Sequence, residues 1–315
     1  MKKILVCLLS LLLVACTSNS NVESNVETPS TTEETVEVNS LKVLAPKGAT
    51  AVGVSILSYE GFHDVTYVDG ADVLQASLVN PEPEYDVIIA PSNLGIKLAA
   101  AGKSQYKIAD VLTWGNLFLV GNTDEINEDT RIALFGENAV VGLVYEDLFA
   151  DSVGEKTYYG SVTEAQAALL SDNADVALLA EPAATATIAK AKENGKELKV
   201  IADLQTLWQD KYGDSYPQAA IFVLGSTYEN DPDSVDSLIN TVKTFIDNTN
   251  ADKAELANII DTVTAEELGV PSSAIVEKVW DRLNLNVKDA SECVEQLNNF
   301  MKLFGVEDSS SALLK

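Results

Sequence analysis

Arginine occurs only twice in this 315-residue chain, at Arg131 and Arg282, and histidine once, at His63. Two arginines cannot build an arginine-rich anion clamp. One histidine supports neither a multi-histidine zinc site nor two separate histidine proton relays. Basic residues are scarce overall: 21 Lys plus Arg face 48 Asp plus Glu, a formal net charge of −27. Such acidity repels phosphate backbones, which excludes nucleic acid as a partner. The sequence contains no GxSxG, no HExxH, no P-loop and no GxGxxG after a strand. Its paired acids, such as Glu33-Glu34 and Glu266-Glu267, fall in a polar stretch or at a helix start, where a solvated face explains them. The expectation is a protein that is not an enzyme and uses no cofactor and no metal.

Cysteine is also sparse, at Cys7, Cys16 and Cys293. Lys2 and Lys3 precede an apolar run over 4–14, which is too short to span a bilayer and reads as an export signal. Leu13-Val14-Ala15-Cys16 resembles the lipobox of bacterial lipoproteins, which implies cleavage after residue 15 and acylation of Cys16. An ordinary signal cut elsewhere, or an uncleaved anchor, is the alternative. The mature chain would keep a blocked Cys16 and a lone Cys293, so no internal disulfide forms and the core alone stabilises the fold. Residues 16–40 carry five glutamates and no lysine or arginine, without apolar periodicity, and read as a flexible tether. Some 25 such residues reach roughly 25–30 Å. No later segment holds 18 uninterrupted apolar residues.

From Leu41 the pattern becomes short apolar strands alternating with helical stretches. Strands are predicted over 41–45, 64–68 and 86–90, then over 131–135, 156–159, 176–179 and 198–201, with helices between them. This alternation argues for βαβ units and mostly parallel sheets. A weak repeat supports two similar halves. Gln75-Ala-Ser-Leu leads into Asp86-Val-Ile-Ile-Ala90-Pro-Ser, and Gln166-Ala-Ala-Leu leads into Asp175-Val-Ala-Leu-Leu-Ala180-Glu-Pro; chance likeness of two ordinary units is the competing reading. Long apolar segments over 111–121 and 216–224 read as crossings between lobes. Beyond Tyr228 the chain reads as helical to its end. The expected domains are a signal peptide over 1–15, the tether over 16–40, lobe one over 41–121 and 222–315, and lobe two over 122–221.

Leu41-Lys-Val-Leu-Ala-Pro-Lys-Gly-Ala-Thr50, Ile89-Ala-Pro-Ser-Asn-Leu-Gly-Ile-Lys97 and Leu179-Ala-Glu-Pro-Ala-Ala184, with the lipobox and double crossing, resemble the substrate-binding proteins of ABC importers, of the nitrate, sulfonate, taurine and thiamine-precursor group. The resemblance implies an α/β, two-lobed type 2 periplasmic-binding-protein fold, each lobe a mostly parallel sheet flanked by helices, with the helical C-terminal region packed on lobe one. It implies capture of a small molecule by hinge closure and delivery to a permease with its ATPase. Some relatives make pyrimidine precursors with a histidine and a cysteine-rich motif, which this chain lacks.

A ligand would sit where strand C-termini meet helix N-termini, because free backbone N–H groups there attract acceptors. In lobe one these loops hold Lys47, Gly48, Thr50, Gly70, Pro91, Ser92 and Asn93; in lobe two, Gly136, Asn138, Ser161 and Glu181. The glycines serve turn geometry or close approach to ligand, and the polar residues serve as helix caps or ligand contacts. Trp114 on the first crossing would stack on a planar ligand or pack internally. Glu181 would hold a cationic or N–H-bearing ligand, or simply begin a helix. Lys47 would meet an anion or stay solvated. Scarce arginine tilts the expected ligand toward a heterocycle over a small organic anion. The expected whole is a monomeric, lipid-anchored protein on the extracytoplasmic face of the cell membrane. An exported enzyme with an unrecognised site, or a sensor or adhesion lipoprotein, is the alternative.

Overall fold

The structure, a computed structural model, describes residues 37–123, 125–151 and 153–315. The signal segment, Cys16 and the tether up to residue 36 lie outside the described residues. The first βα series runs β1 (Lys42–Pro46), α1 (Ala49–Glu60), β2 (Asp64–Val68), α2 (Ala71–Leu78), β3 (Val87–Pro91), α3 (Ser92–Ala100) and β4 (Tyr106–Thr113). The second runs β5 (Leu117–Gly121), β6 (Arg131–Phe135), α4 (Val140–Leu148), β7 (Glu155–Tyr159), α5 (Val162–Leu170), β8 (Val176–Ala180), α6 (Ala183–Glu193), β9 (Lys199–Asp203) and α7 (Leu204–Tyr212). The chain then returns through β10 (Ala219–Leu224) to α8 (Gly225–Asn230), α9 (Pro232–Ala251), α10 (Leu256–Val263), α11 (Ala265–Leu268) and α12 (Ser273–Val279). It ends on β11 (Leu285–Asp289) and α13 (Val294–Met301), with single 3-10 turns between and after them.

Two sheets result, ordered β2-β1-β3-β10-β4-β11 and β7-β6-β8-β5-β9. They match strand for strand, β11 being an addition at one edge. In each, three parallel strands are followed by one antiparallel strand that comes from across the crossing, β10 beside β3 and β5 beside β8. The sheets are therefore mixed, with most strands in each running in one direction and β10, β11 and β5 reversed. Central strands β3, β5, β8 and β10 are buried along nearly their whole length, while edge strands β2 and β7 are half exposed. Continuous apolar runs belong in the middle because helices cover both faces there.

The sequence repeat has a structural counterpart. Asp86 donates its N–H to Lys42 O (2.9 Å) and accepts from Lys42 N–H through Oδ2 (2.9 Å); Asp175 does the same with Arg131 (2.9 and 2.9 Å). In both halves an aspartate entering the third strand closes a ring with the residue that opens the first. The Arg131 side chain adds a fork on the Asp175 carboxylate, Nε at 3.0 Å and Nη2 at 2.7 Å.

Three expectations need correction. The apolar stretch over 111–121 is broken at Trp114-Gly115-Asn116, where Gly115 takes φ +81°; a Cβ there would meet the Tyr216 ring at 2.4 Å, so only glycine turns the chain. Residues 117–121, assigned to lobe one, pair as β5 in the second sheet, and residues 219–221, assigned to lobe two, pair as β10 in the first. The tail is not all helical: β11 alternates buried and exposed residues, Leu285 and Val287 facing in, and five residues with period two were too short to stand out among helices. Helices α9, α10 and α12 pack on the first sheet in one core with Trp280 and Phe245. α13 also reaches the second lobe, with Phe300 against Trp208 at 6.0 Å and Tyr216 at 5.9 Å between ring centroids.

Candidate functional site

Between the carboxyl ends of the two sheets lies a cavity of about 670 Å³. One wall carries Pro46 to Thr50, Asp69, Pro91 and Asn93; the other carries Asn138 to Val141, Val162, Thr163, Gln166 and Ala180 to Ala183. The volume lies in the range of small-molecule sites. The floor is where the chain crosses: Thr113, Asn116 and Gln218 line it, and the two crossings are tied by amides. Asn116 N–H donates to Gln218 Oε1 (3.2 Å), Gln218 Nε2 to Asn116 Oδ1 (2.8 Å), and Gln218 N–H to Thr113 O (2.8 Å).

Helices α1, α3 and α4 begin at this cavity, and none has a side-chain cap. Their cap positions hold Gly48, Pro91 and Ala139, residue types with no acceptor to offer. Helices α5, α7, α9 and α12 by contrast are capped by Ser161, Asp203, Asp231 and Ser272. First-turn N–H groups of an uncapped helix remain available to a ligand acceptor, with the helix dipole favouring negative charge. Buried polar atoms point the same way: Thr113 is 1% exposed, and neither its hydroxyl nor Asn93 Oδ1 has a hydrogen-bond partner. A buried polar group left unpaired costs about 1–3 kcal/mol, a penalty that a ligand bound here would relieve. The walls otherwise are small and aliphatic, with Ala49, Leu94, Val140, Val141, Val162 and Ala219 among them.

The structure brings Lys47, Gly48, Thr50, Pro91, Asn93, Asn138 and Glu181 to this cavity. The other expected residues stand off it. Gly70 (φ +83°) turns the chain ahead of α2, and Gly136 (φ +65°) does so ahead of α4. Ser92 is fully buried with an unpartnered hydroxyl, and Ser161 caps α5 by accepting from Glu164 N–H at 3.3 Å. Trp114 is a correction: its ring is 4% exposed, its Nε1 donates to Asn286 O (2.7 Å), and Lys288 Nζ lies 4.7 Å over it. It packs the crossing against the C-terminal region and leaves the cavity without a stacking platform; no aromatic side chain lines the cavity among the described residues. Trp208 makes a tilted ring contact with Tyr212 (4.3 Å between centroids) and an edge contact with Tyr216 (5.3 Å). His63 accepts from Leu41 N–H at Nδ1 (3.1 Å), and burial lowers its pKa.

Sequence reasoning missed Gln75, Thr113, Asn116, Gln166 and Gln218, and the approach of Gly269 and Pro271. Gln75 and Gln166 are the first residues of the two repeat units, so the repeat was itself the signal. For Gly269 no local pattern exists: it arrives because Gly48 N–H donates to Leu268 O at 2.8 Å.

No family model and no curated protein matches this sequence. Solved structures do. An ABC transporter protein of Parabacteroides distasonis superposes with TM-score 0.70 at 19% identity, over 88% of this chain and 96% of that one. The periplasmic aliphatic sulphonate binding protein SsuA of Escherichia coli gives TM-score 0.61 at 14% identity, over 85% and 92%. A Candida albicans protein described as having the generic periplasmic binding protein fold gives 0.54 at 14%, over 85% and 90%. This chain has the periplasmic-binding-protein fold.

Proposed function

We propose that this protein is the extracytoplasmic solute-binding component of an ABC importer, held to the membrane by a lipid on Cys16 and acting as a monomer. The observation that carries the reading is the cavity between two matched lobes, walled by uncapped helix ends and floored by the crossings that let the lobes hinge. Similar folds named for transport and for sulphonate binding support it. No helix of the described residues is long and apolar enough to cross a membrane, so in this reading attachment rests on the lipid.

The proposed occupant is a small organic molecule with an aliphatic body and acceptor oxygens. The oxygens would meet the N-termini of α1, α3 and α4, with Lys47 near the rim, and the body would lie on the alanines and valines. A stacked heterocycle fits less well without an aromatic wall. The two lobes capture the molecule and carry out no chemistry on it.

The test is a thermal-unfolding screen of residues 37–315 against alkanesulfonates, carboxylates, nitrate, amino acids and heterocycles. A ligand at 100 times its Kd adds about 2.7 kcal/mol, worth several degrees in a chain of this size. An acceptor-bearing aliphatic compound that raises Tm and is recovered unchanged supports the proposal. Consumption of the compound would make the protein an enzyme. For the anchor, Cys16→Ala should release the exported protein from membranes; retention there would overturn the lipid reading.

A further inference from the structure

Among the described residues, three that line the cavity carry charge: Lys47, Asp69 and Glu181. Lys47 Nζ and Asp69 pair at 3.2 Å at the rim, where the Asp69 side chain is 83% exposed, and their charges cancel under water's screening. Glu181 is different. Its side chain has no exposed surface, and Thr185 donates to both of its oxygens, N–H to Oε2 at 3.1 Å and Oγ1–H to Oε1 at 2.9 Å. Left with those two bonds alone, the lining would carry one uncompensated negative charge.

The compensation comes from a residue that does not line the cavity. Arg282 sits on the 3-10 turn Trp280–Arg282, after α12 and so on the first lobe's side. Its Nη2 reaches across to pair with Glu181 Oε1 and to donate to Thr185 Oγ1. The guanidinium lies 5.3 Å over the Phe118 ring of β5, and the Arg282 side chain is 41% exposed. It therefore stands between a sealed carboxylate and solvent, contacting the second lobe through an ion pair, a hydrogen bond and a ring. A buried charge losing its partner is strongly penalised and seeks another counter-charge.

We propose that Arg282 sets the charge preference of the cavity: by neutralising the Glu181 carboxylate sealed in the cavity wall, it makes the site reject ammonium-bearing ligands and admit uncharged or anionic ones. The inference rests on the solute-binding reading. It makes Arg282 a specificity-determining residue that no ligand touches, and gives Glu181, rather than Trp114, the deciding place in recognition.

The test uses three probes of similar size and different charge, butanesulfonate, butyramide and butylammonium, against wild type, Arg282→Gln, Glu181→Gln and the double variant, with binding followed by calorimetry at pH 7. Arg282→Gln should raise the affinity ratio of butylammonium to butanesulfonate by at least about tenfold, the scale of one buried charge losing its partner. Glu181→Gln should move the ratio the other way, and the double variant should return it near the wild-type value. A folded Arg282→Gln protein with the wild-type ratio overturns the inference, as does a ratio that stays shifted in the double variant. Should Arg282→Gln fail to fold, Glu181→Gln decides alone, an unchanged ratio counting against the proposal. The solute-binding reading fails on a separate outcome, wild type stabilised by nothing in the wider screen.

Discussion

Asp110 on β4 faces Asp289 of β11 across an antiparallel pair, and burial next to that second carboxylate pushes its pKa up to about 6. Because the folded value exceeds the ordinary one, the native state holds a proton that the unfolded chain has lost. Stability is thus higher below about pH 4 and declines as pH rises through 6. Asp110→Asn should remove that decline and stabilise the protein at pH 7 by on the order of 1–2 kcal/mol. Denaturant titrations at pH 4 and 7 check it: the gain must appear at pH 7 and vanish at pH 4. A second residue-scale prediction concerns Gly95 in α3. Alanine normally favours a helix by about 1 kcal/mol, but a Cβ here would stand 2.1 Å from Phe222 Cζ, on a fully buried strand. Overpacking wins, and Gly95→Ala should lower stability by about 1–3 kcal/mol in a urea melt. The Cys293 thiol, buried and raised to about 11, should be slow toward thiol reagents until the fold opens.

At this scale the sequence was readable only where local chemistry is self-announcing. Ser161 followed by Glu164 spelled a helix start, and the Ser161 hydroxyl does accept Glu164 N–H. Trp114 misled because an aromatic on a crossing has two equally natural fates, and the backbone of Asn286 that claims its N–H lies 172 residues away. Arg282 gave no sign of its partnership with Glu181, since nothing in a sequence marks a contact across lobes.

Elements were more legible than residues. The βα rhythm placed the two opening series because buried strands and covering helices have different periods. The rule broke at β5, whose apolar run is continuous with its predecessor's and whose sheet is decided by the turn at Gly115. The ring joining β6 and β8 yields a prediction of its own. Arg131's fork holds Asp175 below the usual carboxylate range, so its contribution is present above the ordinary value and fades as the medium is acidified through the folded one. Asp175→Asn should destabilise at pH 7 and converge with wild type in acid. With both side chains part-exposed, the loss should be about 1 kcal/mol, read from paired chemical melts. Equal losses at both pH values would mean that shape, not charge, matters there.

For the whole molecule, the matched strand orders mean that each lobe presents equivalent helix ends to the shared space, so in the proposed solute-binding reading a ligand would be met from both sides by the same kind of surface. Closure over it is measurable. Labels at Asp72 and Glu137, both exposed and beside the lining residues Ala71 and Asn138, should draw together when a stabilising ligand is added; an unchanged distance would argue for a rigid cleft.

The exchange of β5 and β10 between sheets also sets a timetable. Every strand of the second sheet lies between residues 117 and 203, whereas the first needs 42–113 and then 219–289. A chain delivered amino end first can finish its middle while the flanks of β3 and β4 stand open, waiting for β10. Unpaired strand edges invite pairing with other chains. Until residue 224 arrives the earlier-made lobe is the unfinished one, and a chain cut short before β10 would carry that open edge permanently.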